Sequence, residues 1–166
     1  RANIYERVRY PKLAAAAARS WRSGWRPREL HFLVTVYKEQ PETLKAVLQA
    51  LCMELRTTHQ KATIWIGSRT PEDESLIAGY ISVIARDLDI TLNIVRQTGT
   101  GKRNAIGLIL RAMARQGLGR DAYVAFMDSD FVLRPGALEK CLPLFDCDPD
   151  LHALTTDEDC IVHGPA

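Results

Sequence analysis

No stretch of this sequence approaches the roughly 18 consecutive apolar residues that a membrane-spanning helix needs, and runs such as Leu13 to Ala18 stop far short of it. Nothing within the sequence is therefore expected to cross a bilayer. Surplus charge is also missing: 22 Lys and Arg against 20 Asp and Glu leave a net charge of +2, too little for a general affinity for nucleic acid. The four cysteines, Cys52, Cys141, Cys147 and Cys160, form no C-x-x-C pair, which excludes the common zinc and thiol-redox spacings. Reduced thiols in a cytosolic compartment are the simplest account. Histidine offers no metal-ligand spacing either, with His31 and His152 in strand patterns and His59 and His163 in loops. Neither end carries a signal peptide or a stop pattern, so the chain is expected to be a piece of a longer one.

What is present is the composition of an ordinary globular domain, 46% apolar and 25% charged over 166 residues, which disfavours disorder or fibre and suits one domain. The cations are unevenly placed. Arg1, Arg7, Arg9, Lys12, Arg19, Arg22, Arg26 and Arg28 stand against the single acid Glu6, interleaved with Tyr5, Tyr10, Trp21 and Trp25. That mixture suits a juxtamembrane segment, with rings at the headgroups and cations against anionic lipid; a solvated basic arm has the same composition. Residues 1–29 are read as a basic, aromatic, juxtamembrane-like leader and residues 30–166 as the folded domain.

From Leu30 onward, short β-rich apolar runs alternate with segments of helical period, the pattern of an α/β fold with a largely parallel sheet. Strands are expected at Leu30 to Val36, Ala62 to Ile66, Ile90 to Val95, Ala122 to Met127 and Leu151 to Thr155. Helices are expected near Pro41 to Thr57, Pro71 to Asp87, Lys102 to Gln116 and Pro135 to Leu144, three of them opening on proline, which a first turn tolerates. In open α/β sheets ligands bind beyond the carboxyl ends of the strands. Chemistry is therefore expected just after residues 36, 66, 95, 127 and 155.

Asp-x-Asp occurs five times, beginning at Asp87, Asp128, Asp146, Asp148 and Asp157, so spacing alone selects nothing. Context does. Asp87 and Asp89 lie at a helix end, while Asp146, Asp148 and Asp150 form a polar turn after Pro143. Asp128 and Asp130 follow the uncharged strand Ala122 to Met127, where carboxylates at i and i+2 face one side and an unpaired charge is costly. Hard oxygen ligands so placed suit Mg²⁺ or Mn²⁺ and, through the ion, the phosphates of a nucleotide. The bland alternative is a structural turn.

The loop Gln97 to Arg103 enters a helix N-terminus, where free N–H groups and the helix dipole attract phosphate, and Lys102 and Arg103 add charge. It is not a Walker loop, because Arg96 and Arg103 stand where glycine and a hydroxyl are required. A glycine turn with solvated cations is the competing reading.

Three pieces belong together: Phe126-Met127-Asp128-Ser129-Asp130 with Pro135-Gly136-Ala137-Leu138; Gly101-Lys102-Arg103; and Leu33-Val34-Thr35-Val36-Tyr37-Lys38-Glu39. In this order they resemble the Asp-x-Asp region, the Gly-Lys-Arg segment and the first strand ending in Tyr-Asn-Glu of family-2 glycosyltransferases, with Lys38 for the usual Asn. The resemblance is to processive polysaccharide synthases, those of hyaluronan, chitin, cellulose and alginate, and runs from about Leu30 to the end. Ala153 to Asp159 is most similar to the alginate type.

The resemblance implies a GT-A fold, Rossmann-like, with a mostly parallel sheet, helices on both faces and an incomplete carboxyl terminus. It implies a metal-dependent, inverting transfer of sugar from a UDP- or GDP-linked donor to a growing polysaccharide, at the cytoplasmic face of the inner (plasma) membrane. The membrane would be met through flanking segments. Tyr37, Glu39, Lys102, Arg103 and Asp128 would bind the donor, and Asp128 and Asp130 would hold Mg²⁺ or Mn²⁺. Asp157, in the run Asp157-Glu158-Asp159 after the last expected strand, is the candidate catalytic carboxylate, orienting the acceptor or simply part of a polar loop. The family's base lies in a later Thr-Glu-Asp motif, followed by Gln-x-x-Arg-Trp, and neither motif is present.

One departure bears on the donor. Such enzymes usually carry Asp-Asp-Gly-Ser after the second strand, where this chain has Trp65-Ile66-Gly67-Ser68, so the acid contact to uridine is not carried over. A guanine-based donor is compatible with the change. Two rivals come from other classes: a haloacid-dehalogenase-like phosphatase using Asp128 and Asp130, whose motif would follow the first strand rather than the fourth, and a non-catalytic binding fragment.

Overall fold

The computed structural model describes residues 5–36, 40–99 and 101–155. Tyr37, Glu39 and Asp157 lie outside the described residues, as do Lys38, Glu158, Asp159, Cys160 and His163.

Four strands, β1 Glu29–Thr35, β2 Ala62–Ser68, β3 Ile90–Arg96 and β4 Ala122–Asp128, form one parallel sheet in the order β3-β2-β1-β4. Parallel neighbours need crossovers. These are supplied by α2 Pro41–Thr58, α3 Pro71–Ile84 and α4 Lys102–Gln116. Before β1 lies α1, Tyr10–Arg22, entered through a π-helical turn at Tyr5–Arg9, and after β4 come the short α5, Ala137–Cys141, and α6, Leu144–Cys147.

The central strand β1 is buried on both faces, as a strand between helical layers must be. Leu30, Phe32 and Val34 meet Val47, Leu48 and Leu51 of α2 and Ile77 of α3, while Leu33 turns the other way with Trp65 to meet Ile109 and Met113 of α4. Helices thus cover both faces, as expected. On the α4 face the buried His31 is satisfied: its Nδ1 accepts the Trp65 indole N–H at 3.0 Å, so its Nε2 carries the proton and donates to Glu29 at 2.8 Å. It is a core histidine.

Three boundaries differ from the sequence reading. Leu151 to Thr155 is not a strand: it pairs with no neighbour among the described residues, and residues 152–155 are exposed. Strand preference is decided by packing, and this segment brings only Leu151 and Leu154 as large apolar groups. The helix expected from Pro135 to Leu144 is two short helices, because Pro143 lacks the N–H that would continue the first. Finally, α3 ends at Ile84 rather than Asp87, where Arg56 of α2 donates to the Ile84 carbonyl at 2.8 Å and to both oxygens of Asp87. A guanidinium holding a terminal carbonyl is a helix stop.

Part of the leader packs against the domain, while residues 7–12 and most of its cations stay exposed. α1 buries Ala17 and Trp21, Arg26 stacks on the Trp21 ring at 3.5 Å, and Trp25 meets Tyr123 of β4 edge-on. Ser20 donates to Asp146 of α6. Cys52, Cys141 and Cys147 are free thiols, and burial pushes Cys52 up to about 11, far from a nucleophile's range.

Candidate active site at the carboxyl edge of the sheet

From β1 the chain steps outward to β2 and β3, then crosses back to lay β4 on the other side of β1, so the direction of winding reverses between β1 and β4. A crevice beyond the strands' carboxyl ends is expected at such a point. Register defines what lines its rim: Val95 lies beside Gly67, Gly67 beside Thr35, and Thr35 beside Asp128.

β4 ends at Asp128, and the next residues turn, with the Phe131 N–H donating to the Asp128 carbonyl at 3.1 Å. Ser129 is buried while Asp128 and Asp130 are exposed on either side of it. The two carboxylates therefore face solvent, the second belonging to a turn rather than to the extended strand that the i, i+2 reading assumed. The Asp128 carboxylate, half exposed, forms an ion pair with the ammonium of Lys102 from the first turn of α4. Arg103 is exposed beside Lys102 in that same turn.

Local sequence explains how α4 comes to aim its N-terminus here. Gly101 has φ +95°, a conformation that glycine adopts without a Cβ penalty, and its carbonyl accepts the N–H groups of Asn104 and Ala105. The N–H groups of Lys102 and Arg103 stay outside the helical ladder. Gly67 matters for space rather than for φ. A Cβ there would stand 3.0 Å from Gln97 Nε2, so glycine lets the loop after β3 lie across the end of β2. The Gln97 N–H closes that contact by donating to the Ser68 carbonyl at 2.8 Å. Trp65-Ile66-Gly67-Ser68 is thus a close-approach site.

Two further features escaped the sequence reading. Glu74 in the first turn of α3 takes both Arg96 Nε and Nη2 at 2.7 Å and the Ser68 hydroxyl at 2.8 Å, clamping α3 to the ends of β2 and β3. The Arg96 guanidinium, then Ser68, hold its carboxyl down at about 2. Because the folded value lies below the ordinary 4.5, this contribution is present above about pH 4.5 and is lost as pH falls through about 2. Glu74→Gln should therefore be less stable than the parent at neutral pH, with the gap closing in acid; thermal midpoints from pH 7 down to 2.5 test this, and a pH-independent gap would exclude the clamp. The second feature is Glu54, whose buried carboxylate accepts the Gly136 and Leu138 N–H groups at 2.7 and 3.0 Å. A lone acid within the apolar i, i+3, i+7 stripe Leu44, Val47, Leu51 was the available signal.

Whether a divalent ion fits can be judged from the donors. Mg²⁺ and, by the same hard-oxygen preference, Mn²⁺ are bound through one or two carboxylates, with phosphate and water filling the remaining positions. Two exposed carboxylates at a solvent-open edge meet that requirement. Among the described residues no cluster of three His, Cys, Asp or Glu could hold a metal by itself, so a nucleotide's own phosphates would have to complete the site.

Residues 27–165 match the glycosyltransferase-like family 2. The chain is 28% identical over 164 residues to glycosyltransferase alg8 of Pseudomonas syringae pv. tomato, covering 99% of this chain and 33% of that protein. It is 29% identical over 119 residues to glycosyltransferase alg8 of Azotobacter vinelandii, covering 72% and 24%. Thus it spans a third or less of these relatives' length. A mannosyltransferase from Pyrobaculum calidifontis, solved in complex with GDP-Man and Mn²⁺, superposes with a TM-score of 0.55 at 19% identity, over 89% of this chain and 43% of that one. That similarity establishes the GT-A-like fold. With the family matched over residues 27–165, the chain belongs to glycosyltransferase family 2, among relatives of the alginate-synthase type.

Proposed function

We propose that this chain binds a nucleoside-diphosphate sugar for metal-dependent, inverting transfer to a growing polysaccharide. The observation that carries the reading is the Lys102–Asp128 ion pair, which brings the phosphate-seeking turn of α4 to the acidic end of β4. A cation paired to a carboxylate at an open edge is poised to exchange partners. When a diphosphate arrives, Lys102 turns to phosphate and frees Asp128, which with Asp130 would hold a divalent ion. Such an ion would neutralise charge on the departing diphosphate. Arg103 and the free N–H groups of the α4 turn share the charge, and the acceptor hydroxyl attacks C1 from the face opposite the leaving group.

Tyr37 and Glu39 keep their candidate roles at the donor, and Asp157 its candidate role at the acceptor. A guanosine diphosphate donor is preferred here, since the neighbouring fold was solved with GDP-Man and the acid contact to uridine is missing after β2. Calorimetric titration with GDP-mannose and UDP-mannose, with and without Mn²⁺, tests the reading. Lys102→Ala and Arg103→Ala should each weaken GDP about tenfold, the size of one charge-assisted contact, while guanosine changes little. An equal loss for both ligands would place these cations away from phosphate.

The leader supports placement at the cytoplasmic face of the inner membrane. Among the described residues no helix is long and apolar enough to cross a membrane. Docking through Trp21 nevertheless leaves Arg7, Arg9, Lys12, Arg19, Arg22 and Arg28 exposed, together with Val8 and Tyr10. Affinity for anionic vesicles that falls as salt rises is expected. Equal affinity for neutral vesicles would remove the electrostatic part of this placement.

A further inference from the structure

We propose that the outer edge of β3 is a self-association surface, where a second copy of this chain adds its own β3 antiparallel, centred on Asn93. The four strands of each copy then form one continuous sheet. The inference stands apart from the donor reading.

β3 is the outermost strand on its side of the sheet, so one side of its backbone pairs with β2 while the other has no strand beside it among the described residues. Natural edge strands are usually short, bent by a bulge or proline, or interrupted by charge, because a regular open edge is a template for another chain. β3 has none of these devices. Its seven residues pair with β2 in unbroken register and carry no charge before Arg96. Leu92 and Ile94 are only partly buried, whereas their register partners Ile64 and Ile66 on β2 are fully buried.

Charge identifies the occupant. Antiparallel pairing about Asn93 sets Leu92 opposite Ile94 of the second copy, Thr91 opposite Val95, and Arg96 opposite Ile90, next to Asp89. Asp89, just before β3, is paired with Lys61, and Arg96, at its end, is paired with Glu74. The two-fold therefore aligns Glu74 and Arg96 of one copy with Asp89 and Lys61 of the other, a row that alternates in sign at both ends of the joint. β4, the outermost strand on the other side, follows Asp121 and ends on Asp128. The same operation there sets acid against acid, so β3 is the self-complementary edge and β4 is not.

The centre and the overlying helix agree with this pairing. The Asn93 side-chain nitrogen is buried without a hydrogen-bond partner, and two amides facing across a two-fold can exchange N–H···O bonds, each acting as donor and acceptor. Above the edge, α3 turns one flank to α2, with Lys45 over the Tyr80 ring and the Ile84 carbonyl held by Arg56. Ser75, Ala78, Gly79 and Ser82, all exposed and small, lie away from that flank. Small side chains let two helices approach closely, so the second α3 has room beside the first.

Sedimentation equilibrium from about 1 to 100 µM, the span in which modest interfaces assemble, should show the 18.6 kDa chain passing to twice that mass. Thr91→Lys places a charge on the exposed edge, outside the donor site, and should weaken association by about tenfold or more with the circular dichroism unchanged. Asn93→Cys should be joined to its copy by a disulfide when oxidised glutathione accepts the two electrons, because directly opposed Cβ atoms of antiparallel strands stand about 4.5–5.5 Å apart. Thr91→Cys should not, its copy lying about 13 Å further along the strand. The parent controls for the native thiols. A monomer at every concentration overturns the proposal, as does a dimer that ignores Thr91→Lys or in which Thr91→Cys cross-links as well as Asn93→Cys. Should Asn93→Cys fail to fold, the masses of the parent and Thr91→Lys decide.

Discussion

Asp128→Asn should lower the affinity for GDP about 100-fold when Mn²⁺ is present and raise it a few-fold when metal is absent. The opposite signs follow from the geometry. With the ion bound, the substitution removes an anionic ligand, a loss of about 2.7 kcal/mol that lies within the range for contacts to charged groups. Without the ion, the carboxylate competes with phosphate for Lys102, and its removal frees that ammonium. The fold should be unaffected, because half-exposed ion pairs contribute only about 0–1 kcal/mol and the Met127 side chain beneath remains buried. Asp130→Asn should show the metal-dependent loss without the metal-free gain, since no ion pair joins Asp130 to Lys102 among the described contacts. Titration of GDP into the parent and both variants, with and without Mn²⁺, gives the six affinities needed. Parent binding that is indifferent to Mn²⁺ would exclude a metal role for both aspartates.

Glu54→Ala should destabilise the fold by about 3 kcal/mol. Its carboxylate is 3% exposed and satisfies two N–H groups at the start of α5, those of Gly136 and Leu138. Removing it leaves both donors without a partner, at about 1–3 kcal/mol for each buried group. For a chain of this size the thermal midpoint should fall by roughly 6–12 °C. Glu54→Gln should lie between parent and alanine, because its amide keeps one acceptor but turns two donors toward the helix end. The consequence reaches the site. Gly136 and Leu138 anchor the far end of the segment that begins at Asp128, and Leu138 packs in the same core as Met127, so a loosened α5 should also weaken Mn²⁺-dependent GDP binding. Chemical denaturation shows the stability change directly, and a loss below about 0.5 kcal/mol, less than one net hydrogen bond, would mean that water replaces the carboxylate as the cap.

The strands were readable because burial on both faces demands continuous apolar runs. Phe32, Leu33 and Val34 cannot be explained as a one-sided helix stripe of that length, and the structure places them in two separate cores. Asp128 was readable for a related reason: a charge that directly follows such a run must stand at the sheet's edge. Lys102 was readable as a helix start, through the glycines before it. Leu151 to Thr155 carried the same kind of local signal and is not a strand, since a strand is completed by a partner and none of the described residues supplies one.

By itself, then, the sequence determined the alternation of strands and helices, the carboxyl-end placement of the acids and the basic turn, and the family. These depend on periodicity and on neighbours a few residues apart. The tertiary structure alone decided that Lys102 meets Asp128, that Glu54 caps a helix 82 residues further on and that Arg96 closes on Glu74. Those pairings are set by the β3-β2-β1-β4 order and the register of the sheet, which bring distant residues together, and no local pattern encodes a distance between elements that become neighbours only after the sheet has formed.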